Sequence, residues 1–389
     1  MMKKTLVLAT FLGLFSSACG DDGGNDHTDA GPIDGHSGSD APTDGGEPAH
    51  ERAFVVAGDF GSTGTLAQID IQAKTVQKNL APTGAVLGDV VMRHFGNELF
   101  VVNRSDGNSL TILKDTDHSL VEMVGTGANS NPQDVAIVGN KVYVATYEGK
   151  GVKTFTRGTS SVTEIDLSAD DTDGNPNCSS VYAVGTKVFV ACQLKVDGML
   201  SMDRGPGKVY VIDSATNTKV ATLTLSTHNP FSLFEQLPTT SDHAGDLIID
   251  STDFVSAGCI ERITTGATPT APGCLVQNSA LGGYVSRFDF SQARAYMVVT
   301  GASGTGDVKT MTLSSSTVNA GKINGASEPI GDVAVCSSGS VVMTEQPGFG
   351  APTDAPNGVR IYSGTDQEQT TTPLDIGRVP SSAWSLTCD

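Results

Sequence analysis

Short apolar runs separated by polar, glycine-containing turns recur from about residue 50 to the last residues of the chain. Residues 53–57, 99–103, 142–146, 188–192, 295–300 and 340–344 are each five or six residues rich in β-branched and aromatic side chains. Runs of that length between turn residues read as strands of one type. Val55 and Val101 stand 46 residues apart, as do Gly139 and Gly185. Each run is preceded by a polar turn and another strand, as in residues 134–141 and 332–339. Each is followed by a Gly-containing loop and a further strand pair, clearest in the hairpin pattern of residues 207–225. No long stretch carries helical periodicity.

Four strands in each 40–50 residues is the mark of a propeller blade, and the repeat period outranks any local propensity in deciding the class. The 339 residues from 51 to 389, divided by about 46, make about seven blades. The fold class is therefore all-β, a β-propeller of seven four-stranded blades. Innermost strands are expected to start near Asp89, Asp134, Ser180, Asp246, Val285 and Asp332. Residues 384–388 match the innermost pattern without a following strand, and residues 53–57 lack an innermost partner. Joining them closes the ring within the first blade and removes an exposed sheet edge. Residues 193–207 read as an insertion, and residues 229–282 form an irregular fifth blade.

The N-terminus has a different character. Lys3 and Lys4 precede an apolar stretch of eleven residues, 5–15, which is too short to span a bilayer and has the form of a targeting segment. Residues 20–50 hold eight acids, eight Gly and three Pro with no Lys or Arg. Such a segment buries too little apolar surface to offset its ordering entropy, so it reads as a solvated tether. The domain boundaries are 1–18 for the signal peptide, 19–50 for the tether with its leading cysteine, and 51–389 for the propeller. The formal charge of −19 argues against a nucleic-acid partner and against electrostatic docking on an anionic membrane.

Seven cysteines minus Cys19 leave six, an even number suited to an oxidising compartment. Cys178 lies just before the innermost strand of blade four and Cys192 ends the next strand, so the antiparallel pair sets them opposite each other. Cys259 and Cys274 bracket a Pro/Gly/Thr loop in blade five. Cys336 and Cys388 take matching places on neighbouring innermost strands, and a bridge between them locks the ring.

Two resemblances add to this reading. Residues 16–20, Ser-Ser-Ala-Cys-Gly, resemble the lipobox of bacterial lipoproteins, which implies that Cys19 is lipidated and becomes the mature N-terminus. Gly20 at the second mature position implies the outer membrane, with periplasmic and surface display both open. Residues 209–213 and 215–220, with the strands at 142–146 and 295–300, resemble the YVTN-type surface-repeat propellers. That resemblance spans residues 51–389. Its motifs concern strand packing, so it implies fold and an extracytoplasmic setting more than an activity.

Catalytic signatures are absent: no HExxH, GxSxG, Walker loop or GxGxxG before a helix. His94, His118, His228 and His243 fall in the domain without metal-ligand spacing, although His228 and His243 flank the start of blade five. The repeated acid is the main constellation. Asp89, Asp134, Asp246 and Asp332 fall at one point of four blades and are expected to gather at a channel mouth. They either tie blades together through backbone N–H groups or form a binding funnel for a cation or cationic ligand, with Arg93 and Arg287 placed to balance their charge. Residues 170–175, Asp-Asp-Thr-Asp-Gly-Asn, look like the start of a calcium loop, but its twelfth position is Ser180 and the polar-turn reading is preferred. No catalytic residue or cofactor is assigned, and a divalent cation such as calcium is the one cofactor option. The functional expectation is a monomeric, non-enzymatic binding module for a protein or glycan partner, attached to the membrane through its lipid alone. The rival is a lactonase-like or other hydrolase built in the channel.

Overall fold

The computed structural model describes residues 50–389 apart from 60, 160, 196–204, 255–256, 302–303, 305, 326–327, 347–356 and 382. The signal peptide, Cys19 and the tether up to residue 49 lie outside the described residues. Among the described residues, twenty-seven strands carry the fold, with a four-residue helix at Asn278–Leu281 and a 3-10 turn at Ser168–Asp170.

In chain order, β1 (Arg52–Gly58), β2 (Gly64–Asp70) and β3 (Thr75–Gln77) belong to blade one. Blade two is β4 (Val90–Phe95), β5 (Glu98–Asn103), β6 (Ser109–Lys114) and β7 (Leu120–Gly125). Blade three is β8 (Pro132–Val138), β9 (Lys141–Thr146), β10 (Gly151–Thr156) and β11 (Thr163–Asp166). Blade four is β12 (Cys178–Val184), β13 (Lys187–Cys192), β14 (Lys208–Asp213) and β15 (Thr218–Thr224). Blade five is β16 (Glu235–Gln236), β17 (Leu247–Thr252), β18 (Gly258–Ile263) and β19 (Gly273–Gln277). Blade six is β20 (Tyr284–Phe290), β21 (Arg294–Thr300), β22 (Gly306–Thr312) and β23 (Thr317–Lys322). Blade seven has β24 (Ile330–Val335), β25 (Val341–Glu345) and β26 (Gly358–Tyr362). Its outermost position is taken by an irregular segment bridged to β26 at Glu368 and Leu374. The last strand, β27 (Leu386–Cys388), pairs with β1 and supplies the innermost strand of blade one.

The core is cut into seven wedges, one between each pair of neighbouring blades. Ala53, Val55 and Ile69 of blade one meet Ala334, Val342 and Ile361 of blade seven. Tyr143 and Val152 of blade three meet Val181 and Val190 of blade four, and the remaining five interfaces repeat this. The second strand of each blade is therefore covered on both sides, which is why residues 53–57 are apolar without alternation. Outermost strands face solvent, and β15 reads Thr-Lys-Val-Ala-Thr-Leu-Thr with no buried residue. At Gly58 an added Cβ would fall 2.1 Å from the Gly88 carbonyl oxygen, so only glycine lets blades one and two approach there.

The seven-blade reading and the closure by the C-terminal strand hold. The fifth blade differs from expectation. Asp246 precedes β17, the second strand, and the innermost strand is instead built from residues 230–236. Pro230, the adjacent Leu233 and Phe234 and a ladder of only two residues break the strand pattern there.

All three disulfides pair as the strand map implied: Cys178–Cys192, Cys259–Cys274 and Cys336–Cys388. Three bridges fit an oxidising, extracytoplasmic compartment. Among the described residues no helix is long and apolar enough to cross a membrane.

Deleting residues 380–389 removes Trp384, β27 and one half of the closing bridge. Loss of a long-range bridge at about 3–5 kcal/mol and of a buried Trp at about 3–5 kcal/mol rivals the ~5–15 kcal/mol stability of a typical domain. The truncated chain is expected to aggregate or to lack a cooperative thermal transition by circular dichroism. A monomer melting like the full chain would contradict the closure.

Candidate functional site

Four innermost strands share one irregularity. The ladder slips by one residue between Pro132 and Asp134, Cys178 and Ser180, Val285 and Arg287, and Ile330 and Asp332. A bulge re-aims the side chain that follows it. The four residues after the bulges, Asp134, Ser180, Arg287 and Asp332, all take part in one network around the axis.

Two relays make up that network. Arg93 of blade two sets Nε 2.8 Å from Asp134 Oδ1 and Nη2 3.1 Å from Oδ2. Asp134 Oδ2 then accepts hydrogen bonds from Ser180 Oγ (2.8 Å) and Val181 N (3.0 Å) of blade four. Arg287 of blade six donates from Nε to Asp332 Oδ1 at 3.1 Å. Asp332 Oδ2 accepts from Ser385 N (2.6 Å) and Leu386 N (2.8 Å) of blade one. Glu235 of blade five joins the relays, its Oε1 lying 2.6 Å from Arg93 Nη1 and 3.2 Å from Arg287 Nη1. Ser180 Oγ also accepts from Phe234 N, and Phe234 O accepts from Arg93 Nη2.

Trp384 fills the space between the two guanidinium groups. The Arg93 and Arg287 carbons stand 4.5 and 4.1 Å from its ring. Its indole N–H donates to Ser286 O at 2.9 Å, and its carbonyl accepts from Met92 N at 2.7 Å. Its φ of +74° lies in the left-handed region, a strain of about 1–3 kcal/mol held by the surrounding contacts. Each cation–π contact at a desolvated site contributes about 2 kcal/mol.

Burial pushes the carboxyls of Glu235 and Asp332 above the ordinary range, against the pull of the guanidinium groups. Burial works against the charge on Arg93 too, but the Asp134 and Glu235 carboxylates outweigh it and hold the guanidinium more firmly protonated.

Of the four repeated aspartates, the structure brings Asp134 and Asp332 to the axis and leaves Asp89 and Asp246 elsewhere. Asp89 precedes β4, which has no bulge, and binds Arg104 and Ser105 of its own blade. Asp246 lies at the far end of the blade, 3.4 Å from Arg262, because β17 runs opposite to an innermost strand. The four do not form one mouth. Arg93 and Arg287 do balance the acids, whereas sequence reasoning missed Glu235 and the plugging role of Trp384. An isolated Glu in an irregular segment carries no periodic signal, and nothing local says that Trp384 points inward.

His228 and His243 do not converge either, since they flank β16 at opposite ends. His243 contacts Arg262, and its Nε2 lies 3.8 Å from Asp242. In the acidic loop Asp170 faces Lys208 and Lys219 at 3.7 and 3.3 Å, while burial and the neighbouring Asp173 push Asp171 up to about 6. Ser180 is committed to the axis and supplies no twelfth ligand there.

The end of the propeller where innermost strands begin bears an aromatic cluster. Phe231 and Phe254 are 38% and 44% exposed, and with Tyr284 they form three edge-to-face contacts at 4.8, 5.6 and 5.3 Å. Phe254 has φ +66°, which turns a bulky ring outward from the loop after β17. A second exposed apolar group, Leu120, Val121 and Met123, lies on the outer edge strand β7 beside a groove of about 650 Å³.

Fold and axis together define a seven-bladed β-propeller whose centre is occupied by its own side chains. No protein-family model and no curated protein matches the chain. Solved structures do match in fold. The dihydro-heme d1 dehydrogenase NirN, in complex with DHE, superposes with TM-score 0.54 at 13% identity, covering 88% of this chain and 75% of that one. Apo AztD from Citrobacter koseri gives 0.53 at 9% identity, with 87% and 98% covered. The β-propeller domain of Cps50 (Swd1) from Myceliophteria thermophila gives 0.53 at 10% identity, with 75% and 90% covered. At such identity the likeness concerns the fold alone.

Removing the Asp332 carboxylate strands Arg287 in a buried site, so Asp332→Ala is expected to lower stability by about 3–5 kcal/mol. Asp89→Ala breaks a part-exposed pair and is expected to cost about 0–1 kcal/mol. Denaturant unfolding followed by the fluorescence of Trp384, the chain's single Trp, measures both. Equal effects would show that the axial network has no special weight.

Proposed function

We propose that this chain is a lipid-anchored propeller of the YVTN-type surface-repeat kind that works as a non-enzymatic binding module in the cell envelope. Its partner is a protein or glycan met at the loop end carrying Phe231, Phe254 and Tyr284, and the chain acts as a monomer without nucleic acid. The observation that carries this reading is the contrast between axis and rim. At the axis, Asp134, Glu235 and Asp332 are engaged by guanidinium and backbone donors of neighbouring blades, which gives these acids a structural task. At the rim, two phenyl rings stay in water where an ordinary soluble surface carries few large apolar groups. Aromatic side chains supply large contact area at low conformational cost and dominate binding hot spots.

Anchoring rests on the lipobox-like residues 16–20, and outer-membrane sorting on Gly20. Cys19→Ser is expected to release the protein from membranes and to abolish incorporation of a fatty-acid analogue. Unchanged membrane fractionation of that variant would contradict the anchor.

The purified mature chain is expected to bind in a screen of arrayed glycans and solubilised envelope proteins. Phe231→Ala with Phe254→Ala is expected to weaken that binding at least ~10-fold without changing the melting temperature. Leu120→Lys with Met123→Lys, on the edge strand, is expected to leave it intact. Turnover of lactone or ester substrates with no partner bound would favour the hydrolase instead.

A further inference from the structure

Blade five contains a buried carboxylate that the fold does not explain. Glu261 is fully buried on β18, and its Oε1 accepts from Thr227 N (2.8 Å) and Thr227 Oγ1 (3.0 Å). Its Oε2 has no hydrogen-bond partner, and no cation pairs with it among the described residues. A buried carboxylate oxygen without a partner is costly unless some further group satisfies it.

The strand register shows what this carboxylate lies beside. Cys259 and Glu261 are two apart on β18 and so share one face. Cys274 lies on β19 directly opposite Glu261. The two sulfurs and a carboxylate oxygen all fall within 4.8 Å of one another. Two thiolates at ~2.3 Å from a tetrahedral zinc ion stand ~3.7 Å apart, so opening the bridge needs only small side-chain rotations to match that geometry. Among the described residues no other such group of three occurs, and neither of the other disulfides belongs to one.

We propose that Cys259, Glu261 and Cys274 form a redox-gated site for Zn²⁺, closed when the Cys259–Cys274 disulfide forms and open when it is reduced. A phosphine reductant and one water cleave the S–S bond to two thiols and leave the phosphine oxide. Zinc then displaces both thiol protons and takes two Sγ atoms and one Glu261 carboxylate oxygen, with water in the fourth position. Cys274 sits on the solvent-accessible outermost strand, which opens the bridge to a reductant. In the oxidised state the sulfurs are bonded to each other and one carboxylate oxygen, Oε2, has no partner, as the structure has it.

The test reduces the full chain with the phosphine, removes it without air, and titrates Zn²⁺ against a chromophoric chelator. Co²⁺ is titrated in parallel and read by its thiolate charge-transfer band. One equivalent is expected for the reduced chain and none for the oxidised chain. Cys259→Ser with Cys274→Ser, which keeps the other four disulfide cysteines, is expected to abolish binding. Glu261→Gln, nearly isosteric, is expected to weaken it at least ~10-fold. Trp384 fluorescence and circular dichroism follow the fold of every sample. Equal zinc affinity in the reduced wild type and the double serine variant overturns the proposal, and so does equal affinity in Glu261→Gln. A reduced chain that loses its fold and does not regain it with zinc overturns it as well.

Discussion

Glu235 shared between Arg93 and Arg287, with Trp384 packed between the two guanidinium groups, is the contact on which the ring depends. Seven blades splay outward from an axis, and their inner edges leave a space that apolar strand residues do not fill. Burying five charged groups there is costly unless each is matched. Here each one is. Every carboxylate meets a guanidinium, Asp134 and Asp332 also accept backbone N–H groups of the next blade, and Trp384 covers the flat faces of both arginines. Because the relays run from blades two to four and six to one and meet at blade five, the network touches all seven blades.

The same arrangement explains the closure. β27 offers only three residues of ladder, a small interface for holding two ends of a long chain together. It is reinforced on one side by Asp332, which accepts the Ser385 and Leu386 amides, and on the other by Met92 N bonding to the Trp384 carbonyl. The Cys336–Cys388 bridge and the ion pair of Arg52 with Asp389 at 2.6 Å fasten the outer side of the same strand. Strain at Trp384 is tolerated because these contacts over-determine its position.

The axial acids Asp134, Glu235 and Asp332 are held by guanidinium and backbone donors that tie blades together. The loop end, by contrast, carries the part-exposed rings of Phe231 and Phe254. The fold neighbours range from a dehydrogenase to a propeller domain, so architecture alone does not decide between chemistry and binding. The decision rests on which side chains are free to meet a ligand.

Much of this molecule was legible in the chain because propellers write themselves as repeats. The 46-residue step, the five-residue apolar runs and the unmatched half-blades at residues 53–57 and 384–388 determined the class, the blade number and the closure. The disulfide pairs followed, since antiparallel register places Cys178 opposite Cys192 without further information. What periodicity does not encode was decided in three dimensions. A bulge of one residue turned Asp134 and Asp332 to the axis while Asp89, which shares the Gly-Asp-Val triplet with Asp332, stayed with Arg104. The innermost strand of blade five fell on residues 230–236, where Pro230 and a ladder of two residues hid it, so Asp246 was carried to the opposite end. Trp384 and Glu235 acquired their roles only when residues far apart in the chain met at one point, because a side chain's partner across an axis is set by the ring and not by its neighbours in sequence.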